Sequence, residues 1–490
     1  MFKKLVFLCF ITSMAGNAVF AQNINDLVRA SHLQFSGTAR YNAMQGAFGA
    51  LGADPSVSAT NPGGLGLFRR SEVSITANLA VPQSTTELYN SSASDASAHF
   101  LIDHFSAVIT NPTNRQSGVM QQTFAFGVNR LQDFHQTQTF NGVNNESSLL
   151  DVYLYDLNYP TAIHPDDINL YPELDFGAAL AWNAYAIDTL MIDGVPEYFS
   201  YNMNYGATQE KEVVTSGGLN EWYLSYGADI NHRFFVGATV GIDVMNYFQT
   251  TTYTERISEN DVLNPLDYFT QIDSLEIKGV GINLKTGVVY RASDHIRIGA
   301  AVHTPTRYSL RDTWGSDFKT VFDSTEVYTA QSPLGEYSYT LTTPWRYFGS
   351  FAYFFGDKGL ISIDYEYQNV PKAKLGPGED DYLFQQENEQ RSLLNPSHCI
   401  RAGGEVRSGR WSYRAGGMWR NKAYVDDYAS SSWGGSLGAG FRDSDFYVDM
   451  TYALNYSSQS DAIYDPAFVA SSDTRMFAHR LMVTVGLRWY

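Results

Sequence analysis

Over its last half the chain alternates apolar and polar residues with a period of two. Ile361, Ile363, Tyr365 and Tyr367 share one parity, and Ser362, Asp364, Glu366 and Gln368 the other. Phe446, Val448, Met450, Tyr452, Leu454 and Tyr456 repeat the pattern against Tyr447, Asp449, Thr451, Ala453 and Asn455. Successive side chains of a strand point to opposite faces, so each set occupies its own side of a sheet. A soluble sandwich would bury the apolar side against a second sheet. Here the repeat is even and carries aromatics near the strand ends, which predicts an all-β closed barrel standing in lipid around a polar lumen.

The last strand, 477–490, sets Leu481, Val483, Val485, Leu487 and Trp489 against Arg480, Thr484, Gly486 and Arg488. Moving backwards, strands fall near 445–457, 433–442, 411–422, 398–407, 359–370, 336–355, 296–310, 273–290, 234–256, 218–230, 120–138, 98–110 and 72–84. The pattern therefore predicts a 14-stranded antiparallel transmembrane β-barrel over 71–490, with both ends periplasmic. Short charged connections such as Asn231-His232-Arg233 and Gly356-Asp357-Lys358 read as periplasmic turns. Longer ones, near 257–272, 311–335, 371–397, 423–432 and 458–476, read as outer loops. A further strand pair near 196–216 would raise the count to sixteen.

Two stretches break this rhythm. Residues 139–217 are too long for a simple loop and include helix-like runs at Leu149–Leu157 and Phe176–Ala186, which predicts a folded extracellular cap. Residues 22–70 are rich in glycine, yet Phe35, Phe48, Leu51, Leu65, Leu67 and Phe68 give them something to bury. They cannot extend the barrel, and they are large enough to fill it as an N-terminal plug, or hatch. Ahead of them, Lys3 and Lys4, the apolar run Leu5 to Ile11 and Val19-Phe20-Ala21 form a signal peptide over 1–21, with cleavage before Gln22.

Cleavage removes two lysines and no acid, so the formal charge of −18 becomes −20. Such an acidic chain repels nucleic acid and anionic surfaces. Of its two cysteines only Cys399 survives cleavage, which excludes an internal disulfide framework and a cysteine metal cluster. An aromatic fraction of 14% suits interfacial girdles, and a mean hydropathy of −0.25 is no obstacle to a barrel, in which only alternate residues meet lipid.

The segment Gly37-Thr38-Ala39-Arg40, then Gln45 to Asp54, then Asn61-Pro62-Gly63-Gly64-Leu65 and an immediate first strand, resembles the outer-membrane long-chain fatty-acid transporter family of the FadL/TodX type. The resemblance implies a fourteen-stranded barrel plugged by a hatch with an Asn-Pro-Ala motif, and passive movement of hydrophobic substrates bound from outside. Gly63 stands where that family usually has alanine. Read on its own chemistry, Pro62 fixes its φ and pushes Asn61 away from helix, while Asn61 can bond nearby backbone and hold a turn. Asn61, Pro62 and Gly63 are thus the hatch and gating candidates.

Other patterns carry less. Gly434-Gly435-Ser436-Leu437-Gly438 matches G-x-S-x-G, but it alternates as a glycine-lined strand rather than a strand-to-helix elbow. No nucleophile–base set is found, so no catalytic residue is assigned. The ten histidines lack ligand spacing; His303 and His479, read as lumen-facing, are the only handle for haem. Glu379, Asp380 and Asp381 read as a solvated acidic loop, with calcium as the alternative. No metal and no cofactor are expected. Lumen parity collects charges of both signs, among them Asp243, Lys285, Asp364, Glu366, Arg401, Glu405, Arg414, Arg420 and Asp449. An outward Arg or Lys at mid-membrane would cost about 2–4 kcal/mol, so these side chains point in and pair.

The functional expectation is passive transport of hydrophobic small molecules, such as fatty acids or aromatic compounds, by a monomeric multi-pass protein of a Gram-negative outer membrane. Its further partners are outer-membrane lipids and the barrel-assembly machinery. Ligand is captured at the cap, passes Phe48, Leu65 and Phe68, and leaves by hatch movement or through a gap in the wall near Gly127-Val128-Asn129. Arg414 and Arg420 are head-group candidates. The alternatives are a structural or adhesive barrel and uptake of haem or aromatic hydrocarbons.

Overall fold

The computed structural model describes residues 24–490 except 114, 171–173, 203–205, 259–263, 377–383, 385–387 and 426–428. The expected signal peptide and the acidic triad Glu379-Asp380-Asp381 fall outside the described residues. Helix α1 (Ile24–Ser31), helix α2 (Ala39–Asn42) and two 3₁₀ turns (Pro55–Ala59, Pro62–Leu67) precede the sheet. The strands are β1 (Ser71–Leu88), β2 (Ser91–Ala96, then His99–Pro112) and β3 (Val119–Asp133, then Gln136–Asn144). Helices α3 (Leu149–Asn158) and α4 (Phe176–Asn183) follow, with a separate hairpin, Ile187–Ile192 and Val195–Ser200. The chain then returns as β4 (Ala207–Ile230), β5 (Phe234–Arg256), β6 (Leu266–Arg291) and β7 (Ile296–His303, then Arg307–Phe322). Strand β8 (Glu326–Gln331, Gly335–Thr342 and Arg346–Phe354) and β9 (Gly359–Gln368, then Lys374–Gly376) come next. The last are β10 (Ser397–Ser408), β11 (Trp411–Arg420), β12 (Ser432–Arg442), β13 (Phe446–Asp461) and β14 (Ser472–Trp489).

Each strand pairs antiparallel with the next, and β1 pairs with β14 from Ser71–Trp489 to Glu87–Asp473. That pairing closes a 14-strand barrel. The hairpin at 187–200 forms its own two-stranded sheet, and 207–216 belong to β4, so the residues that suggested sixteen strands add none to the barrel.

The outward face is apolar all round. Ile75, Phe126, Leu224, Ile242, Ile363, Met450 and Leu487 are each exposed by more than a third, while the alternate positions are buried. An unpartnered greasy belt of that kind is stable only against hydrocarbon. Several strands run further out than their alternation suggested: β6 has 26 residues, where a membrane crossing needs about 9–11. Their outer ends, such as Thr250, Thr251 and Thr252 in β5, lack alternation because neither face there meets lipid.

Candidate functional site

Residues 37–68 form a compact knot held by side-chain caps. Thr38 accepts from the Tyr41 N–H and donates to Asp54 Oδ2 at 2.8 Å, while Asp54 itself caps the 3₁₀ turn at Pro55. Asn61 caps the next turn: its Oδ1 accepts from Gly63 N at 3.1 Å, and its Nδ2 donates to the carbonyls of Gly49 at 2.6 Å and Val288 at 3.2 Å. The turn therefore ties the knot to strand β6. Phe48, Leu65 and Phe68 are at most 3% exposed and pack in one apolar cluster with Tyr41, Met44 and Val57.

This knot is bonded to inward-facing groups around the whole ring of strands. Ala39 N donates to Thr484 Oγ1 (2.6 Å), Thr451 Oγ1 to Ala39 O (2.6 Å), Ser436 Oγ to Ala43 O (3.0 Å) and Gly49 N to Asp364 Oδ2 (2.8 Å). Arg297 donates to Leu51 O at 2.9 Å, and His303 Nε2 lies 2.7 Å from Thr60 O. Glycines on the wall let the two backbones approach. A Cβ on Gly237 would stand 2.2 Å from Pro62 O, and one on Gly287 2.0 Å from Asn61 Oδ1. Gly63 has the converse constraint, since its Cβ would meet the carbonyls of Gly287 and Phe235 at 2.8–2.9 Å. The departure from alanine thus has a local physical reason.

Residues 24–36 are held differently. The first helix buries Leu27 and Ala30 in the same apolar cluster as Tyr247, Ile277, Leu310, Tyr339, Leu341, Leu375 and Phe384. Arg29 stacks 3.8 Å from the Tyr247 ring centroid, and Tyr339 donates to Asp26 at 3.5 Å. At its C-terminal end Arg346 donates to Ser31 O and Arg420 to Leu33 O, both at 2.8 Å. Between Ala30, Leu33, Phe35 and the wall remains a cavity of about 20 Å³, the size of a single water.

The barrel wall is incomplete on one side. The ladder between β2 and β3 runs from Pro112–Gln121 to His104–Asn129 and stops there, at the end of the Gly127-Val128-Asn129 stretch. Above it, 99–102 pair with β1, and Arg130, Gln132 and Asp133 with β4, but among the described residues no ladder joins the two stretches to each other. The inner edge of this window is filled by the N-terminal segment: Gln34 N donates to Leu131 O and Ser36 N to Arg130 O, each at 3.0 Å. Asp103 accepts from Ser36 Oγ (2.8 Å) and Asn78 (2.8 Å) and pairs with Arg130 (3.2 Å). Outside it, Phe100 is 71% exposed. Nothing in the sequence marks a missing ladder, because pairing is a property of two strands.

Some lumen charges pair with each other and others bond backbone or neutral side chains. Arg414 is fully buried between Glu405 (2.6 Å) and Asp449 (2.5 Å), and Glu405 also takes Arg40 of the N-terminal segment at 3.2 Å. Arg420 instead faces the end of α1. Lys285 pairs with Glu221, and Tyr308 donates to Asp243 at 2.7 Å. His479 shares the parity of Leu481, not of Arg480, and bonds Tyr452 on the outer face at 2.7 Å. This corrects its reading as a lumen group and removes the His303/His479 pairing as a handle for haem. Ser436 sits in β12 as a donor to Ala43 O, without a base beside it.

Over the mouth, α3 and α4 bury Leu150, Tyr153, Leu157, Leu180 and Ala181 against Tyr253, Phe269 and Phe318 from the strand ends. Asp175 caps α4 through Gly177 N at 2.6 Å. Burial pushes its carboxyl up to about 6, against the pull of that backbone bond.

The sequence matches no protein-family profile and no curated protein. Solved structures do match. The toluene transporter TodX of P. putida superimposes with a TM-score of 0.54 at 9% identity, over 94% of this chain and 99% of that one. A FadL homologue of Pseudomonas aeruginosa gives 0.53 at 12% identity, over 93% and 98%. The toluene transporter TbuX of Ralstonia pickettii gives 0.50 at 14%, over 94% and 99%. The likeness is one of fold: a FadL-type barrel.

Proposed function

We propose that the protein is a passive outer-membrane transporter of hydrophobic small molecules, in which residues 22–70 act as the hatch and 139–217 as the outer cap. The observation that carries this reading is the window between β2 and β3, where the ladder stops and residues 34–36 and the Asp103–Arg130 ion pair fill the inner side. It faces the hydrocarbon of the bilayer on the outside, where Phe100 is 71% exposed, and meets the side of the N-terminal segment on the inside. A molecule captured at the cap crosses the apolar cluster of the outer lumen and leaves sideways when 34–36 shift. An axial route past Phe48, Leu65 and Phe68 would need the Asn61-Pro62-Gly63 turn to leave its seat against Gly237 and Gly287. The lateral route breaks two backbone bonds, the Ser36–Asp103 hydrogen bond and the Asp103–Arg130 ion pair, whereas the axial route must break the bonds of the 37–68 knot to many strands. Burial of an alkyl chain contributes about 0.8 kcal/mol per CH₂, so capture needs few polar contacts.

Cells making the intact protein should take up labelled oleate or toluene faster than cells lacking it. A Leu131→Cys/Phe35→Cys pair joined by a short crosslinker should abolish the difference by shutting the window. Equal uptake with and without the protein for a panel of fatty acids and monoaromatics would leave a structural or adhesive barrel as the better description.

A further inference from the structure

The interrupted wall has an upper corner as well as a lower one. Strand β2 breaks off at Ala96 and resumes at His99, and β3 breaks off at Asp133 and resumes at Gln136. The two breaks lie against each other, with the rings of His99 and His135 4.5 Å apart between centroids and tilted by 35°. Beyond them Asp95 joins the outer halves of the strands, accepting from Thr139 N at 2.9 Å and from its Oγ1 at 3.2 Å. The histidine pair therefore sits between that join and the window, where β2 and β3 part. Each imidazole is also held by an oxygen two residues earlier in the chain. His135 Nδ1 lies 2.6 Å from Asp133 Oδ1, and His99 Nε2 lies 2.9 Å from the Ser97 hydroxyl. An oxygen on one ring nitrogen fixes the tautomer and leaves the lone pair on the other, which is how metal-binding histidines are oriented. Ring stacking explains the contact between the two rings; it does not explain an oxygen on each. His135 Nε2 and His99 Nδ1 have no hydrogen-bond partner among the described residues. His99 takes the parity opposite to Phe100, away from the lipid, and the His135 side chain is 25% exposed.

We propose that His99 and His135 form a site for a divalent transition metal, Cu²⁺ or Ni²⁺, which ties β2 to β3 at the upper corner of the window, with Asp133 and Ser97 as orienting groups. With each nitrogen about 2.0–2.1 Å from a shared ion, rings 4.5 Å apart subtend an N–metal–N angle of roughly 90°. That is the angle between neighbouring ligands of a tetragonal Cu²⁺ or Ni²⁺ centre, and it is narrower than tetrahedral zinc prefers. Calcium and magnesium take oxygen ligands instead. Among the described residues no group of three or more His, Cys, Asp or Glu forms a metal cage, so water fills the remaining positions and the ion exchanges with the medium. The metal adds a cross-link at a place where the two strands share no ladder. Its consequence for passage rests on the transport reading above: a pinned corner narrows the window, so bound metal slows exit to the bilayer. Spacing along the chain carries no hint of the site, because the two histidines belong to different strands.

The test is calorimetric titration of Cu²⁺ and of Ni²⁺ into purified full-length protein, in mild detergent and without a histidine tag, with amide exchange as a second readout. The protein should bind one ion, and His99→Gln or His135→Gln should each weaken binding by about a hundredfold or more. Asp133→Asn, which keeps both ligands and loosens the orientation of one, should weaken it by about 10–100-fold. His232→Gln removes another exposed histidine beside an aspartate and should change nothing. Saturating Ni²⁺ should slow exchange over 99–103 and 130–136 in the unmodified protein and in neither histidine variant. Protection of β6 at its usual level in every variant shows that the barrel is intact. Undiminished affinity in either histidine variant, or an equal loss in His232→Gln, would overturn the site. Binding that leaves exchange over both stretches unchanged would overturn the tie between the strands. Uptake of labelled oleate that ignores Ni²⁺ while exchange is slowed would count against the window as the route and leave the metal site standing.

Discussion

Residues 37–68 and residues 24–36 lie in one barrel, next to each other in sequence, and are held by opposite means. The first stretch is bonded through its backbone to side chains of many strands, at positions where wall glycines let it come close. The second is held by side-chain packing, two arginines at its end and two backbone bonds at the edge of an interrupted wall. A plug built of both kinds of attachment can stay seated while one part of it moves. Buried backbone-to-wall bonds spread over many strands must all break together, whereas a segment held by packing and a few bonds can open alone.

The comparison breaks most forcefully at the wall glycines. Gly237→Val suits a strand intrinsically, but its side chain would occupy the place of Pro62 O. The barrel should assemble and the knot should fail to seat. Single-channel conductance in planar bilayers should rise from near closed to a large steady pore, and a closed Gly237→Val protein would show that the seat is not where the plug is fixed. Asn61→Ala is milder. It removes three hydrogen bonds and leaves the Gly49 and Val288 carbonyls short of a donor, at about 1–3 kcal/mol per buried unsatisfied group. Amide exchange should quicken over 60–66 and intermittent conductance should appear, while exchange over 24–33 stays as it was.

Sequence and structure agree most where the barrel meets lipid. Ile361, Ile363 and Tyr365, or Met450 and Tyr452, could be read outward because hydrocarbon penalises every wrong residue on that face. The same parity placed Arg414 and Arg420 inward but could not say that one is locked between Glu405 and Asp449 and the other faces α1. Partners across a lumen are distant in sequence and obey no period. The Asn61 turn was legible as a turn; its seat against Gly237 and Gly287 was not, since inward glycines in a strand look the same whether they make room for a plug or for nothing. Strand ends beyond the membrane, as in β6, lost their alternation with their lipid, and His479 was misassigned by one residue of register.

In residues 24–36 the expected effects are smaller. Arg420→Leu removes the charge-assisted bond to Leu33 O, worth about 1.5–3 kcal/mol. Exchange over 24–33 should accelerate by roughly ten- to a hundredfold if that bond limits local opening, with 37–68 unaffected. Equal acceleration in both segments would mean that they form one cooperative unit and that the distinction drawn between them fails.

The smallest effect concerns the helices packed over the mouth of the barrel. Asp175 keeps α4 in place, and burial raises its carboxyl from the ordinary 3.8 to about 6. A carboxyl raised in the folded cap binds more protons there than when the cap is undocked, so its contribution to docking is greatest below about pH 4 and declines as pH rises through 6. Protease cleavage between α3 and α4 should therefore be slower at pH 4.5 than at pH 7.5 after correction for protease activity (~pH values bracketing the shift). Asp175→Asn keeps an acceptor for Gly177 N and cannot ionise, so it should flatten that dependence and make the variant's cap tighter than the wild type's at neutral pH. A wild-type cap that loosens on acidification instead would place the controlling charge elsewhere.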